Sequence, residues 1–410
     1  MVYVKISLIV LLITMLIGAQ TSIVNSDMGS GIEVIASKHT ILYPAEIEFK
    51  LQAQANYDIQ EIRLMYQIQG TDVTLYGYPS FKRGRKIVAS FTVSTNGSSF
   101  IPVGVDIQYM YRIVDSDGNI FETDKFEFQY LDPKYRWQQS NTEYITVFSH
   151  DLPEAQIEKI TQTAIKKIDF IKGSVLGLKT PKSIRAVVVN NRREAQKAFP
   201  FPSGAAEKAH AFGGFAFPEY GLFIMQGLNT DTMIHESIHL LISQALMSPG
   251  IHIPAWLNEG LAMYFEKNAM SKKRRISNAQ KTGSLLNLNS MTAMPGRLED
   301  ISLFYAQSWS LVRYIMDEYG HIRMQEFLKD LDSGRNTVDS LKIVYGITPK
   351  ELENDWRNNF FGEAPAGSRS TEESTNKTIL VILIITGILL VICVLVLSVI
   401  SIKKRNQIYG

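Results

Sequence analysis

The sequence predicts an α+β chain: an N-terminal β-sandwich, a second domain with a small mixed sheet and a helical half, and one C-terminal transmembrane helix. Three observations predict it. Alternating and β-branched runs fill residues 30–132, residues 230–359 carry apolar residues at helical spacing, and residues 379–402 contain no charge. A chain of 45% hydrophobic and 20% charged residues is ordinary packed protein, and a net charge of +2 gives a nucleic-acid partner no electrostatic support.

At the N-terminus, Lys5 precedes an apolar stretch from Ile6 to Ile17, then Gly18, Ala19 and polar residues. That stretch is shorter than the roughly 20 residues a spanning helix needs, so residues 1–22 are expected to be a signal peptide. Residues 379–402 are long enough to span a bilayer, and Lys403, Lys404 and Arg405 follow directly. The positive-inside rule then places residues 403–410 in the cytoplasm and everything before 379 outside, with 362–378 a Gly/Ser/Thr/Glu-rich stalk. The expected location is the cell membrane, single-pass, with the lipid bilayer as a partner. The only cysteine, Cys393, lies within the span, so no intrachain disulfide supports either domain.

Within the sandwich the strand candidates are Ile32–Ala36, Glu46–Ala53, Ile59–Tyr66, Lys86–Val93, Asp106–Val114 and Asn119–Tyr130, with turns at Asn96-Gly97 and Asp115-Ser116-Asp117-Gly118. It holds one histidine, His39, and no cluster of metal-ligating types. The second domain, 141–361, begins with a helix over Pro153–Gly173, whose apolar stripe is Ile157, Ile160, Ala164, Ile168 and Ile171. Strands are expected at Ser183–Val189 and Glu219–Met225, and helices at 230–247, 254–268, 304–318, 321–332 and 348–359, the last opened by the capping box of Thr348, Pro349 and Glu351. The basic run Lys272–Arg275 is expected in a solvated loop.

The chemistry concentrates in one place. His235-Glu236-Ser237-Ile238-His239 is an H-E-x-x-H motif in a helical pattern, and two histidines four apart project from one helix face toward a single ion, with Glu236 free to hold a water. A catalytic zinc needs a third protein ligand and an open position. Twenty residues beyond His239, Glu259 lies in Pro254-Ala255-Trp256-Leu257-Asn258-Glu259-Gly260, a second helical segment that can bring a carboxylate to the metal, with Gly260 allowing close approach of backbones. Glu266 is a candidate acceptor for the second N–H of a ligand histidine, and a surface position is the other reading.

These two stretches resemble the gluzincin zinc peptidases with a peptidase MA-like domain, and Trp-Leu-Asn-Glu-Gly resembles the aminopeptidase N-like family. The resemblance covers roughly residues 205–320. It implies His235, His239 and Glu259 as ligands of one zinc ion per chain, Glu236 as general base, and a peptide or protein as substrate. In that family a tyrosine opening a later helix donates to the oxyanion; Phe304-Tyr305-Ala306-Gln307-Ser308 is similar and makes Tyr305 the candidate, or else a packing residue. The Gly-x-Met-Glu-Asn motif that anchors a free substrate N-terminus is replaced by Gly213-Gly214-Phe215-Ala216-Phe217, which favours an endopeptidase over an aminopeptidase. Gly221–Met225 is the expected edge strand for an extended peptide. Two other readings remain open at this stage: a catalytically silent, membrane-tethered binding protein that uses its sandwich, and hydrolysis of a non-peptide amide or cell-wall peptide.

Overall fold

The computed structural model describes residues 31–200, 213–248, 253–266 and 269–362. The signal peptide, stalk beyond Gly362, transmembrane segment and cytoplasmic tail expected from the sequence lie outside the described residues, among which no helix is long and apolar enough to cross a membrane.

The N-terminal domain is one seven-stranded antiparallel sheet, β1 (Ile32–Leu42), β2 (Glu46–Ile68), β3 (Leu75–Gly77), β4 (Gly84–Ser94), β5 (Asp106–Asp115), β6 (Ile120–Glu122) and β7 (Phe126–Gln129). The sequence suggested separate strands at 46–53 and 59–66; they are the two halves of β2. Its first half pairs with β1 and β4, its second with β3 and β5, and the register is irregular between Gln54 and Ile59. Ile47, Phe49, Leu51 and Ala53, then Ile59, Ile62 and Leu64, point into a common core. Side chains of β1 meet β5 and β7 across that core although the strands share no ladder: His39 stacks on Phe128 at 3.9 Å, and the Ser37 hydroxyl lies 3.3 Å from that of Tyr109. The expected sandwich is thus a single seven-stranded sheet, whose long strand β2 contributes both halves to one core.

The second sheet has the order β11-β12-β10-β9-β8, from β8 (Gln138–Asn141), β9 (Ile145–Ser149), β10 (Ile184–Val189), β11 (Gly214–Phe217) and β12 (Leu222–Gln226). The three central strands run parallel and the edge strands antiparallel. Central position explains composition: Ala186 to Val189 and Leu222 to Met225 are all buried, as strands covered on both faces require. Gly221–Met225 is therefore not the edge, because β12 is paired on both sides; among the described strands β11 is. Expected strand 219–225 also starts late, since Pro218–Tyr220 form a 3₁₀ turn.

The two sheets share a core. Val187, Val189, Leu222 and Ile224 belong to the same buried cluster as the N-terminal strands, Phe100 stacks on Phe217 at 5.7 Å, and Arg185 pairs with Asp106 at 2.5 Å while donating to the Gly104 carbonyl. At Gly70 a Cβ would strike the Glu219 carbonyl, so the contact needs a residue without one.

Helix α1 (Glu154–Phe170) connects β9 to β10 and continues as a π-turn over Ile171–Val175; α2 (Arg192–Ala198) follows β10. The helical half comprises α3 (Thr230–Ala245), α4 (Ala255–Ala262), α5 (Ala269–Thr282), α6 (Leu298–Asp332) and α7 (Thr337–Tyr345). Gly320, at φ +79°, interrupts α6 where the sequence suggested two helices. The basic run Lys272–Arg275 is helical, not loop: it sits in α5, whose buried stripe is reduced to Ile276 and Ala279. A final helix, α8 (Pro349–Phe361), falls almost wholly in a separate compact unit, where Trp356 packs on Phe360 and Phe361.

Candidate metal centre

Helix α3 starts where Asn229 caps it, its side chain accepting the Thr232 N–H at 2.8 Å. Met233, Ile234, Ile238 and Leu241 anchor the helix, and the turn between them presents His235 and His239 with ring centroids 4.8 Å apart. Helix α4 starts after Pro254, and its first free N–H groups, of Ala255 and Trp256, donate to the carbonyls of Thr292 and Met291. Buried Trp256, Leu257 and Leu261 hold it in place. Gly260 does allow a close backbone approach, though the partner is α6, since a Cβ there would collide with the Ser308 carbonyl and Val312.

These two helices bring His235, His239 and Glu259 together, with one ligand atom of each inside a 4.8 Å circle. The two Nε2 atoms are 3.2 Å apart, and Glu259 Oε2 lies 3.4 Å from His235 Nε2 and 3.7 Å from His239 Nε2. Oε2 is buried and accepts no hydrogen bond of good geometry. The far ring nitrogens are each held by another side chain: His235 Nδ1 by Glu266 at 3.4 Å and His239 Nδ1 by Asn258 Oδ1 at 3.1 Å. With Nδ1 donating in both rings, both Nε2 lone pairs are left facing Glu259.

Residues 161–362 match the sequence profile of the Peptidase MA superfamily. The domain belongs to the Peptidase MA superfamily. No curated protein sequence matches the chain. Among solved structures, native leukotriene A4 hydrolase of Saccharomyces cerevisiae aligns at 11% identity and a TM-score of 0.33, over 76% of this chain and 64% of that one. Legionella pneumophila aminopeptidase A with aspartic acid aligns at 11% identity and a TM-score of 0.31, over 82% and 50%. The chain thus spans less than two thirds of either enzyme. The module BhCBM56 aligns at 10% identity and a TM-score of 0.18, over 23% of this chain and 89% of that one.

In this peptidase MA domain the donor set fits zinc. Ligand atoms about 2.0–2.2 Å from a tetrahedral ion stand about 3.3–3.6 Å from each other, within about 0.1 Å of the observed 3.2, 3.4 and 3.7 Å between the two Nε2 atoms and Oε2, and that oxygen accepts no hydrogen bond of good geometry. Without the ion, burial acts to lower the His235 pKa, and the carboxylates of Glu259, Glu266 and Glu236 more than offset it, holding it at about 10. Glu259 and Glu266 move the other way. Burial would raise each, but His239 and His235 keep Glu259 below the usual carboxylate range, and His235 and Lys272 do the same for Glu266.

Glu236 is 6% exposed, and burial raises its pKa against the pull of the two histidines, so its carboxylate readily takes a proton. It faces β11: a Cβ on Gly214 would come within 2.9 Å of Glu236 Oε1. The Tyr305 phenol is pushed well above the usual tyrosine range by burial and by the Glu259, Glu236 and Glu266 carboxylates, so it remains a hydroxyl that can donate. Of the five residues singled out from the sequence, His235, His239 and Glu259 come within ligand distance of one another, and Glu236 and Tyr305 lie within electrostatic reach of them.

The anticipated role of Glu266 is seen, with a correction: it stands in the turn after α4, which ends at Ala262, not on the same helix face as Glu259. Two residues escaped the sequence reading. Asn258 orients His239, and its position beside Glu259 was the only available signal. Lys272, from the supposed loop, reaches Glu266 Oε2 at 2.5 Å with its side chain 12% exposed and its ammonium 5.8 Å from the centre of the Trp309 ring. No local pattern marks such a contact between two elements.

Proposed function

We propose that this chain is a membrane-anchored zinc endopeptidase facing outward from the cell, with Glu236 as general base and Tyr305 as oxyanion donor. The observation that carries the reading is the buried Glu259 oxygen, which accepts no hydrogen bond of good geometry and is turned toward two imidazole nitrogens whose opposite sides are already held. When bound, zinc supplies an acidified water and a Lewis acid for the scissile carbonyl. Glu236 takes the proton of the attacking water and passes it to the leaving amine, a transfer that its burial favours by raising its proton affinity. Tyr305 donates to the carbonyl oxygen as negative charge develops there.

Strand β11, the last of the described sheet, lies beside Glu236, and the extended peptide substrate runs alongside it in this proposal. Its Gly-Phe-Ala-Phe sequence contains no carboxylate to hold a free substrate amine, which supports internal cleavage. Membrane anchoring rests on the uncharged segment 379–402 and the basic Lys403, Lys404 and Arg405 after it.

The test replaces Glu236 with Gln. Elemental analysis is expected to find the zinc content of the native protein, while peptide hydrolysis falls by about 10²- to 10⁴-fold, the usual contribution of a general base. Retained hydrolysis would refute the assignment of Glu236.

A further inference from the structure

A groove of about 1030 Å³ runs between α5 and the start of α6, at the upper end of the size range of ligand clefts. Two residues connect it to the candidate metal centre. Tyr305 lines the groove and also lies within the electrostatic reach of Glu236, Glu259 and Glu266. Lys272 lines it as well, and its ammonium is bound to Glu266, the residue that holds His235. A substrate whose scissile carbonyl reaches Tyr305 therefore meets this groove at that residue.

The charges along it are unequally matched. Arg297 pairs with Glu299 and Asp300, and Lys272 with Glu266. Arg274 and Arg275 line the same wall with no ion pair among the described residues. Arg297 is one cation against two carboxylates and Lys272 is matched by Glu266, so the net positive charge that faces whatever enters comes from the guanidinium groups of Arg274 and Arg275. Arginine holds a carboxylate through two parallel N–H donors, a geometry that an amide or an aliphatic side chain cannot match.

We infer that the groove receives the substrate segment on one side of the scissile bond and that Arg274 and Arg275 select a carboxylate there, either an acidic side chain or a free C-terminus. This rests on the peptidase reading and names its substrate class: peptides acidic on one side of the cut. Lys272 is neutralised by Glu266, and the two arginines set the preference.

The experiment separates binding from cleavage. Full-length, zinc-loaded protein carrying Glu236→Gln is titrated with fluorescent peptides that differ only in Glu or Gln at single positions, and in a C-terminal acid or amide. The Glu peptides, or the C-terminal acids, are expected to bind about tenfold tighter than their amide counterparts, a difference that added salt reduces. Which arm shows the difference identifies the source of the carboxylate. In R274E/R275E, and more mildly in R274A/R275A, the ratio of acidic to neutral affinity is expected to fall to about one or below.

Equal affinities for acid and amide, or a ratio unchanged in both double variants, would overturn the inference. Cleavage is read separately with the native chain, mass spectrometry locating the preferred carboxylate always on the same side of the cut. Binding with this preference but without cleavage by the native chain would sink the peptidase reading alone.

Discussion

Asp115, at the end of β5, and Glu259, in α4, are both withdrawn from water, the first 2% exposed and the second 14% at its side chain. Asp115 is saturated. Its Oδ1 accepts the N–H groups of Asp117 and Asn119 at 3.0 Å each, and its Oδ2 accepts from the Asn119 side chain. Burial would raise its pKa, but these bonds hold it below the usual range. Glu259 keeps one oxygen without a good donor and sits among other carboxylates. A buried carboxylate that closes its own turn is architecture, whereas one left open beside two oriented imidazoles is a binding site.

That contrast can be broken by substitution. The largest effect is expected at the open carboxylate: Glu259→Ala removes a ligand and should abolish stoichiometric zinc in elemental analysis, while circular dichroism remains native. A variant that keeps a full zinc equivalent would show that the carboxylate is not part of the site. Glu266→Gln should weaken zinc binding by about 10- to 100-fold in chelator competition, the usual cost of losing a group that orients a ligand histidine.

In the saturated case the loss should appear in stability only. Asp115→Ala leaves two backbone N–H groups without their acceptor and is expected to cost about 1–3 kcal/mol in denaturant unfolding, with zinc affinity unchanged. A change in zinc binding would mean that the two regions are coupled through their shared core. Lys272→Met is expected to give the smallest shift in zinc affinity, up to about tenfold, because it acts on the metal only through Glu266 and His235; Lys272→Arg should restore most of it.

A pH profile sharpens the same comparison. In zinc-free protein the folded-state pKa of His235 is raised from 6.5 to about 10, so its ion pairs stabilise the fold fully below about pH 6.5 and lose that contribution as pH rises through about 10. The melting temperature of the zinc-free protein should fall over that interval, and in His235→Gln this component of the fall should vanish.

Much of this was legible beforehand where a periodic or local signal exists. The α3 motif follows from the i, i+4 spacing, β10 from the apolar run Ala186–Val189, and the break in α6 from Gly320. Helix α5 was missed because four consecutive basic residues obscure a stripe of only Ile276 and Ala279. Helix α7 was missed although Asn336 and Gly346 cap it, since its buried residues are only Ser340 and Leu341.

What the sequence determined by itself is that His235 and His239 share one helix face, because the i, i+4 spacing requires it, and that Glu259 is a candidate third donor. Only the tertiary structure decided that β11 ends the described sheet, that Asn258 and Glu266 each hold one histidine, and that Lys272 of α5 reaches Glu266. Those relations join residues from different elements, and their physical basis, distance and burial after packing, leaves no repeating mark along the chain.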